Sequence, residues 1–266
     1  MSNQITLAAS HPNPLLAYLI DPQSLVLLVF TFGGMLLFMV VEQLWPRRHS
    51  DDVPIAHWLT NWFLASLNFF VLFLLTLKLG QSALLRSAIP DTGLYEQLHP
   101  AVAIAVLVVL FEFTQYWLHR AYHLIGMLWR LHAIHHADTT VDTTTSHRHH
   151  TGEVVINTLI MLPVFLFFGA PALVLVFYQL FRVLAVLFNH SDISLPAGLD
   201  RALGKVIVTP TFHRVHHSAD PQYTNSNYGT VVPWFDYLFG TAREVPSKDS
   251  ATMPQGLNYL REGRDS

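Results

Sequence analysis

The chain of 266 residues is 52% hydrophobic and 12% charged, with a mean hydropathy of +0.36, whereas a soluble domain carries about a quarter charged residues. A net charge of −3 without a basic patch interleaved with aromatics excludes a nucleic-acid partner, and the lack of cysteine excludes disulfides, thiolate metal sites, iron–sulfur clusters and a cysteine nucleophile. These bounds leave an integral membrane protein, and any electrons its chemistry needs must arrive from another protein or a diffusible cofactor.

Residues 1–20 read as an N-terminal segment, residues 21–245 as one membrane domain and residues 246–266 as a ragged tail. The first fourteen residues hold no Lys or Arg, the wrong flank for a secretory signal, so the first apolar segment is expected to be retained as a membrane helix. Leu25–Val41 is apolar throughout, and Leu15–Ile20 can lengthen it to a spanning helix. Trp45 suits the interface, Pro46 stops the helix, and Arg47 and Arg48 mark the cytoplasmic side. Trp58–Leu79 is the second segment, with Lys78 able to snorkel, and Ala101–Leu118 the third.

Val154–Phe188 is interrupted by Pro163 and by Gly169-Ala-Pro171. At about 1.5 Å per residue each half falls short of the hydrocarbon core, which predicts a tilted or partly inserted helical hairpin, or one re-entrant element. Either form returns the chain to the side it left. Of 15 Lys and Arg, 12 then fall in segments placed inside, with Lys78 and Arg86 outside and Arg182 within the hairpin. That bias follows the positive-inside rule. The segment from Ser191 onward is more polar and is expected to cap the helix ends, being too small to build its own core.

The 16 histidines are not scattered evenly, since 12 lie between His119 and His217. His119 and His123 are four apart on a helix and share a face. The triplets His132/His135/His136 and His213/His216/His217 repeat a three-then-four spacing. Eight grouped imidazoles exceed the four ligands of one structural zinc site, so the clusters predict a two-metal centre. His190, following a span end on the same side, is a further candidate ligand. His147, His149 and His150 are too close in sequence to aim at one point from a helix; His150, flanked by Arg148 and Glu153, is the best placed of them. Glu112, on the same polar stripe of the helix as His119 and His123, is expected to accept an imidazole N–H and fix a ligand's tautomer. His11, His49, His57 and His99 are read as surface or interfacial residues, and Thr139–Thr145 as a β-leaning loop. A nitrogen-rich site of this kind suits iron, zinc or copper rather than magnesium or calcium.

The ordered set His119-x3-His123, His132-x2-His135-His136 and His213-x2-His216-His217 resembles the fatty acid hydroxylase/sterol desaturase superfamily. Glu42…Pro46-Arg47, Trp58…Asn61, Arg148-x-His150-x2-Glu153, His190-Ser191, Asn227-Tyr228-Gly229, Trp234-x-Asp236 and Phe239-Gly240-Thr241 extend the likeness from about Glu42 to Thr241. Thr151 stands where that family usually has proline. The resemblance implies an all-α membrane protein of about four to five transmembrane or partly inserted helices with a cytoplasmic His-rich helical cap. It implies that the eight histidines, with His190, hold two iron ions that activate O2 to hydroxylate or desaturate a lipid. Arg148 and Glu153, with Glu112, are the candidate supporting residues. Electrons would come from NAD(P)H through a separate reductase, with a ferredoxin or cytochrome b5-type carrier. Two competing readings are a zinc-dependent membrane hydrolase, which would use the metals to acidify water, and a metal-transport protein.

Overall fold

The computed structural model describes residues 22–47, 53–80 and 93–261. His11, Leu15–Ile20, Arg48, His49 and Arg86 lie outside these. The described residues are helical, with no strand among them and two isolated β-bridges. Four helices are long and apolar enough to cross a membrane: α1 (Pro22–Leu44), α2 (Ile55–Gly80), α3 (Pro100–Leu124) and α5 (Thr151–Phe168). The second arm of the expected hairpin, α6 (Ala172–His190), is a shorter apolar helix. Between α3 and α5 lies α4 (Gly126–His136), followed by a 3₁₀ turn over Thr143–His147. The cap consists of α7 (Ala197–Leu203), α8 (Pro210–His216), α9 (Pro221–Thr224), α10 (Trp234–Leu238), α11 (Ser247–Thr252) and α12 (Asn258–Arg261).

Three boundaries that place the site have a local cause. The ring of His99 accepts the Ala101 N–H and Pro100 sits in the first turn of α3, where its missing N–H costs nothing. Thr209 caps α8 in the same way, again with a proline next. The hairpin turns at Gly169, whose φ of +63° closes α5 through its N–H on the Phe165 carbonyl.

Ala103, Leu107 and Phe111 of α3, Met161 and Phe168 of α5, and Tyr178 of α6 form one buried cluster. Within it the Phe111 ring meets Phe165 and Tyr178 edge-on, at 4.3 and 5.0 Å between centroids, contacts worth about 0.5–1.5 kcal/mol each beyond their burial. α1 lies against α6 so closely that a Cβ on Gly34 would come within 2.7 Å of Leu187 Cδ1. The outward faces stay apolar, with Val29, Leu36, Leu37 and Val40 of α1 and Val102, Ile104 and Val109 of α3 all exposed, as a lipid-facing surface requires.

At one end of the bundle the helix termini are tied by buried polar groups. Glu42 Oε1, at the end of α1, accepts the Thr143 N–H at 2.8 Å and the Asp192 N–H at 2.7 Å. Arg47 donates to the Ile193 carbonyl, Ser250 Oγ and Thr211 Oγ1. Asn61, near the start of α2, donates to Asp138 and Thr144 and accepts from Arg148. The second half of the Thr-rich segment, Thr143–Thr145, is a buried 3₁₀ turn and not a β-leaning loop, because Asp142 caps it and Thr145 completes the capping box. His57 is half-buried and engaged in the interior, its ring between Asp138 and Asp142 at 3.2 and 2.9 Å. The expected ragged tail is ordered through Arg261, since Ser250, Gln255 and Leu257 are buried against the cap.

The opposite end is closed by a backbone contact. A Cβ on Gly169 would lie 2.6 Å from Gly93 Cα, and the positive φ disfavours a side chain in any case. Gly169→Ala is expected to destabilise the protein by about 2 kcal/mol, seen as a lowered midpoint of thermal unfolding in detergent.

Candidate metal centre

Four stretches supply the imidazoles. The last turns of α3 carry His119 and His123, and α4 carries His132, His135 and His136. His190 ends α6, and α8 carries His213 and His216, with His217 as its C-cap. Nine rings gather in two groups, His119, His123, His132, His136 and His216 in one and His135, His190, His213 and His217 in the other. Within each group one ring nitrogen per residue lies within 4.8 Å of every other. These nine are the residues predicted as ligands from the sequence, and the groups abut: the rings of His136 and His217 stack at 4.6 Å between centroids.

Backbone and carboxylate acceptors aim the rings. His119 Nδ1 faces the Tyr228 carbonyl at 2.7 Å, His216 Nδ1 the Ser226 carbonyl at 2.7 Å, and His190 Nδ1 the Val186 carbonyl at 2.9 Å. A carbonyl oxygen only accepts, so each Nδ1 carries the proton and each Nε2 offers a lone pair to the centre. His132 Nδ1 faces Glu153 Oε1 at 3.0 Å, the carboxylate–histidine pairing that orients metal ligands. Burial, reinforced by the neighbouring imidazoles, holds His135, His136, His213, His216 and His217 well below the ordinary histidine pKa. They are neutral at pH 7, the form that binds metal.

The donor set fits a pair of metal ions on two grounds. The Nε2 atoms of His119 and His132 are 3.1 Å apart, and those of His190 lie 3.2 and 3.0 Å from those of His135 and His213. Nitrogens bound at about 2.1 Å with right-angled to tetrahedral spacing are separated by about 3.0–3.4 Å. In addition, both ring nitrogens of His123 and His136, and His216 Nε2, are buried without a hydrogen-bond partner. Leaving such a group unmet costs about 1–3 kcal/mol, a penalty that a bound cation removes.

The supporting residues are placed less as expected. Glu153 accepts from His132, and the same oxygen lies 3.1 Å from His149 Nδ1. His149 stacks on His135 at 4.5 Å between centroids, and it is His149 that joins His132 and Glu153 in a third small group. His150 stands apart, half-turned to solvent, with its Nδ1 capping α5 through the Gly152 N–H. No local spacing separates the two, since His149 and His150 stand four and three residues before Glu153; what differs is that His150 is spent as the cap of α5. Glu112 bonds no imidazole; it accepts the Tyr178 hydroxyl at 2.8 Å and the Val231 N–H at 3.0 Å, tying α3 to α6 and to the cap. Arg148 reaches the Ile134 carbonyl and Asn61, bracing α4 from behind.

The segment carrying Ser226 and Tyr228 is shaped by Asn227 and Asp236. Asn227 adopts a positive φ and spends its side chain on the Phe212 and Arg243 backbones. Asp236 accepts the N–H groups of Tyr228 and Gly229 and the Thr241 hydroxyl. A Cβ on Gly229 would fall 2.5 Å from the Val232 carbonyl oxygen, so glycine is required there.

A family profile described as fatty acid hydroxylase matches residues 104–241, just over half of the chain. An alkylglycerol monooxygenase from Xenopus tropicalis is 31% identical over 52% of the chain, which covers 29% of that protein. The ornithine lipid hydroxylase OlsE from Rhizobium tropici is 29% identical over 58% of the chain and 45% of its own length. A very-long-chain aldehyde decarbonylase from Oryza sativa subsp. indica is 32% identical over 49% of the chain and 21% of its own length. The chain thus spans less than half of each of these relatives. No solved structure gives a significant match.

Replacing the carboxylate tests the aiming of His132. In Glu153→Gln the uncharged amide oxygen is a weaker acceptor for the His132 Nδ1–H, so bound metal is expected to be held about 10–100-fold less tightly. Elemental analysis after titration with a chelator measures this, with helix content by circular dichroism unchanged.

Proposed function

Because the chain belongs to the fatty acid hydroxylase family, we propose that it is a membrane-bound, O2-dependent oxidoreductase that hydroxylates or desaturates an unactivated C–H bond of a lipid. The observation that carries this reading is the pair of imidazole groups, five and four strong, at one end of an apolar bundle. The five-membered group and the four-membered group would each hold one iron ion. Two irons so held supply the chemistry of O2 activation and hydrogen abstraction when bound, with electrons from NAD(P)H through a separate ferredoxin, cytochrome b5-type carrier or reductase.

The chain's own residues perform the remaining tasks. Carbonyls of Ser226, Val186 and Tyr228 keep three Nε2 lone pairs facing inward, so little reorganisation accompanies metal binding. Glu153 places a negative charge behind His132 and strengthens that ring as a donor. The apolar cluster beneath, around Phe111, keeps bulk water from the bundle side of the centre. The end of α1, the start of α2 and the ends of α3 and α6 meet on the histidine side, which under the positive-inside bias is the cytoplasmic one.

Lipid extracts of cells with and without the protein, grown under isotopically labelled O2, are expected to differ by one labelled oxygen or by the loss of two hydrogens in one lipid class. Turnover under strict anaerobiosis would sink the oxygenase reading. His119→Ala and His213→Ala, one from each group, are each expected to lower activity at least ~10²-fold and to reduce iron content, because such ligands act as a unit.

A further inference from the structure

The chain beyond residue 241 lies outside the family match, yet it is built against the centre. Ser218 and Gln255 form a bridge, the Ala219 N–H donates to the Pro254 carbonyl at 2.8 Å, and Asn258 Nδ2 donates to the Ala219 carbonyl at 3.2 Å. Gly256, with φ +91°, passes so near Thr139 that a Cβ would come within 2.8 Å of its methyl group. The C-terminal segment is therefore clamped between the chain just after His136 and the chain just after His217.

This placement closes a pocket of about 350 Å³ with His123, Gly126 and Trp129 on one side and Leu257, Asn258 and Tyr259 on the other. Of the nine gathered imidazoles, His123 is the one that lines it. No Lys, Arg, Asp or Glu is among the described residues around it. A phosphate or carboxylate entering it would lose water with no charge to replace that hydration. Leu124 lies at the pocket, and it continues with Ile125 and Met127 as an exposed apolar edge at the end of α3, a spanning helix. The volume is at the low end of ligand pockets, which run about 300–1,000 Å³, and suits a segment of a lipid rather than a whole two-chain molecule.

We propose that this pocket seats an uncharged, largely apolar segment of a lipid substrate against His123, and that the C-terminal helix α12 is the wall that selects it. The proposal rests on the reading of the centre as one that oxidises a lipid.

The chain has no cysteine, so Tyr259→Cys places a single thiol at an exposed position on the wall. The full-length protein in detergent is labelled with a maleimide in the presence of a dodecyl glycerol ether or of glycerol phosphate, which has the charge and no apolar segment. The neutral ether is expected to slow labelling about tenfold, equivalent to about 1.4 kcal/mol, and the phosphate to leave it unchanged. Leu199→Cys, exposed on α7 away from the pocket lining, should label equally in all conditions. A Cβ on Gly126 meets nothing within 4 Å, so Gly126→Phe can fill the pocket without a backbone clash. Combined with Tyr259→Cys, it should abolish the protection with iron content unaltered. No protection, equal protection by both probes or at both cysteines, or protection that survives Gly126→Phe would overturn the proposal. Protection by the ether in a protein that shows no O2-dependent oxidation would defeat the functional reading and leave the binding site standing. Oxidation without protection would do the reverse.

Discussion

Packing nine imidazoles side by side, seven of them buried and two half-buried, is costly unless their lone pairs are used, and the rest of the molecule can be understood from that constraint. An unpaired ring nitrogen in a dry interior is penalised, and several such nitrogens are buried here. The fold meets the cost in two ways. It gives the outer nitrogens of His119, His190 and His216 backbone carbonyls, and that of His132 a carboxylate, and it turns the inner nitrogens toward one another at spacings a cation can bridge.

Holding that arrangement requires the helix ends to be fixed relative to one another, and apolar helices in lipid offer little to fix them. Glu42, Arg47, Asn61 and Arg148 supply the connection. Each is buried or partly so, and each bonds across elements distant in sequence. At the far end the close approach of Gly93 and Gly169 sets the height of the hairpin. The hairpin therefore delivers two parts of the centre from one covalent unit: Glu153 at its first turn and His190 at its last.

Much of this was legible in the sequence. The apolar segments, the break at Gly169 and the three histidine spacings depend on local patterns, and the helices fall where those patterns put them. The residues that were misjudged are those whose role depends on partners far along the chain. Glu112 is polar within an apolar helix, which marks it as important, but nothing local says that its partners are Tyr178 and Val231. His57 looks isolated until Asp138 and Asp142 arrive beside it. The tail after Pro246 has the composition of a loose end, and its order comes from Ser218, Ala219 and Thr139, which only the folded cap brings near. His149 and His150 stand four and three residues before Glu153, spacings that do not separate them; the difference comes from His150 serving as the cap of α5.

The carbonyl anchors of His119 and His216 also decide where sequence drift is tolerable. A main-chain oxygen is present whatever side chain its residue bears, so the identities at positions 226 and 228 matter little to how those two rings are protonated. What must persist is the path of the loop, which depends on the left-handed turn at Asn227, the missing side chain at Gly229 and the carboxylate of Asp236. The aiming of rings in the candidate metal centre thus depends on three residues that belong to neither imidazole group.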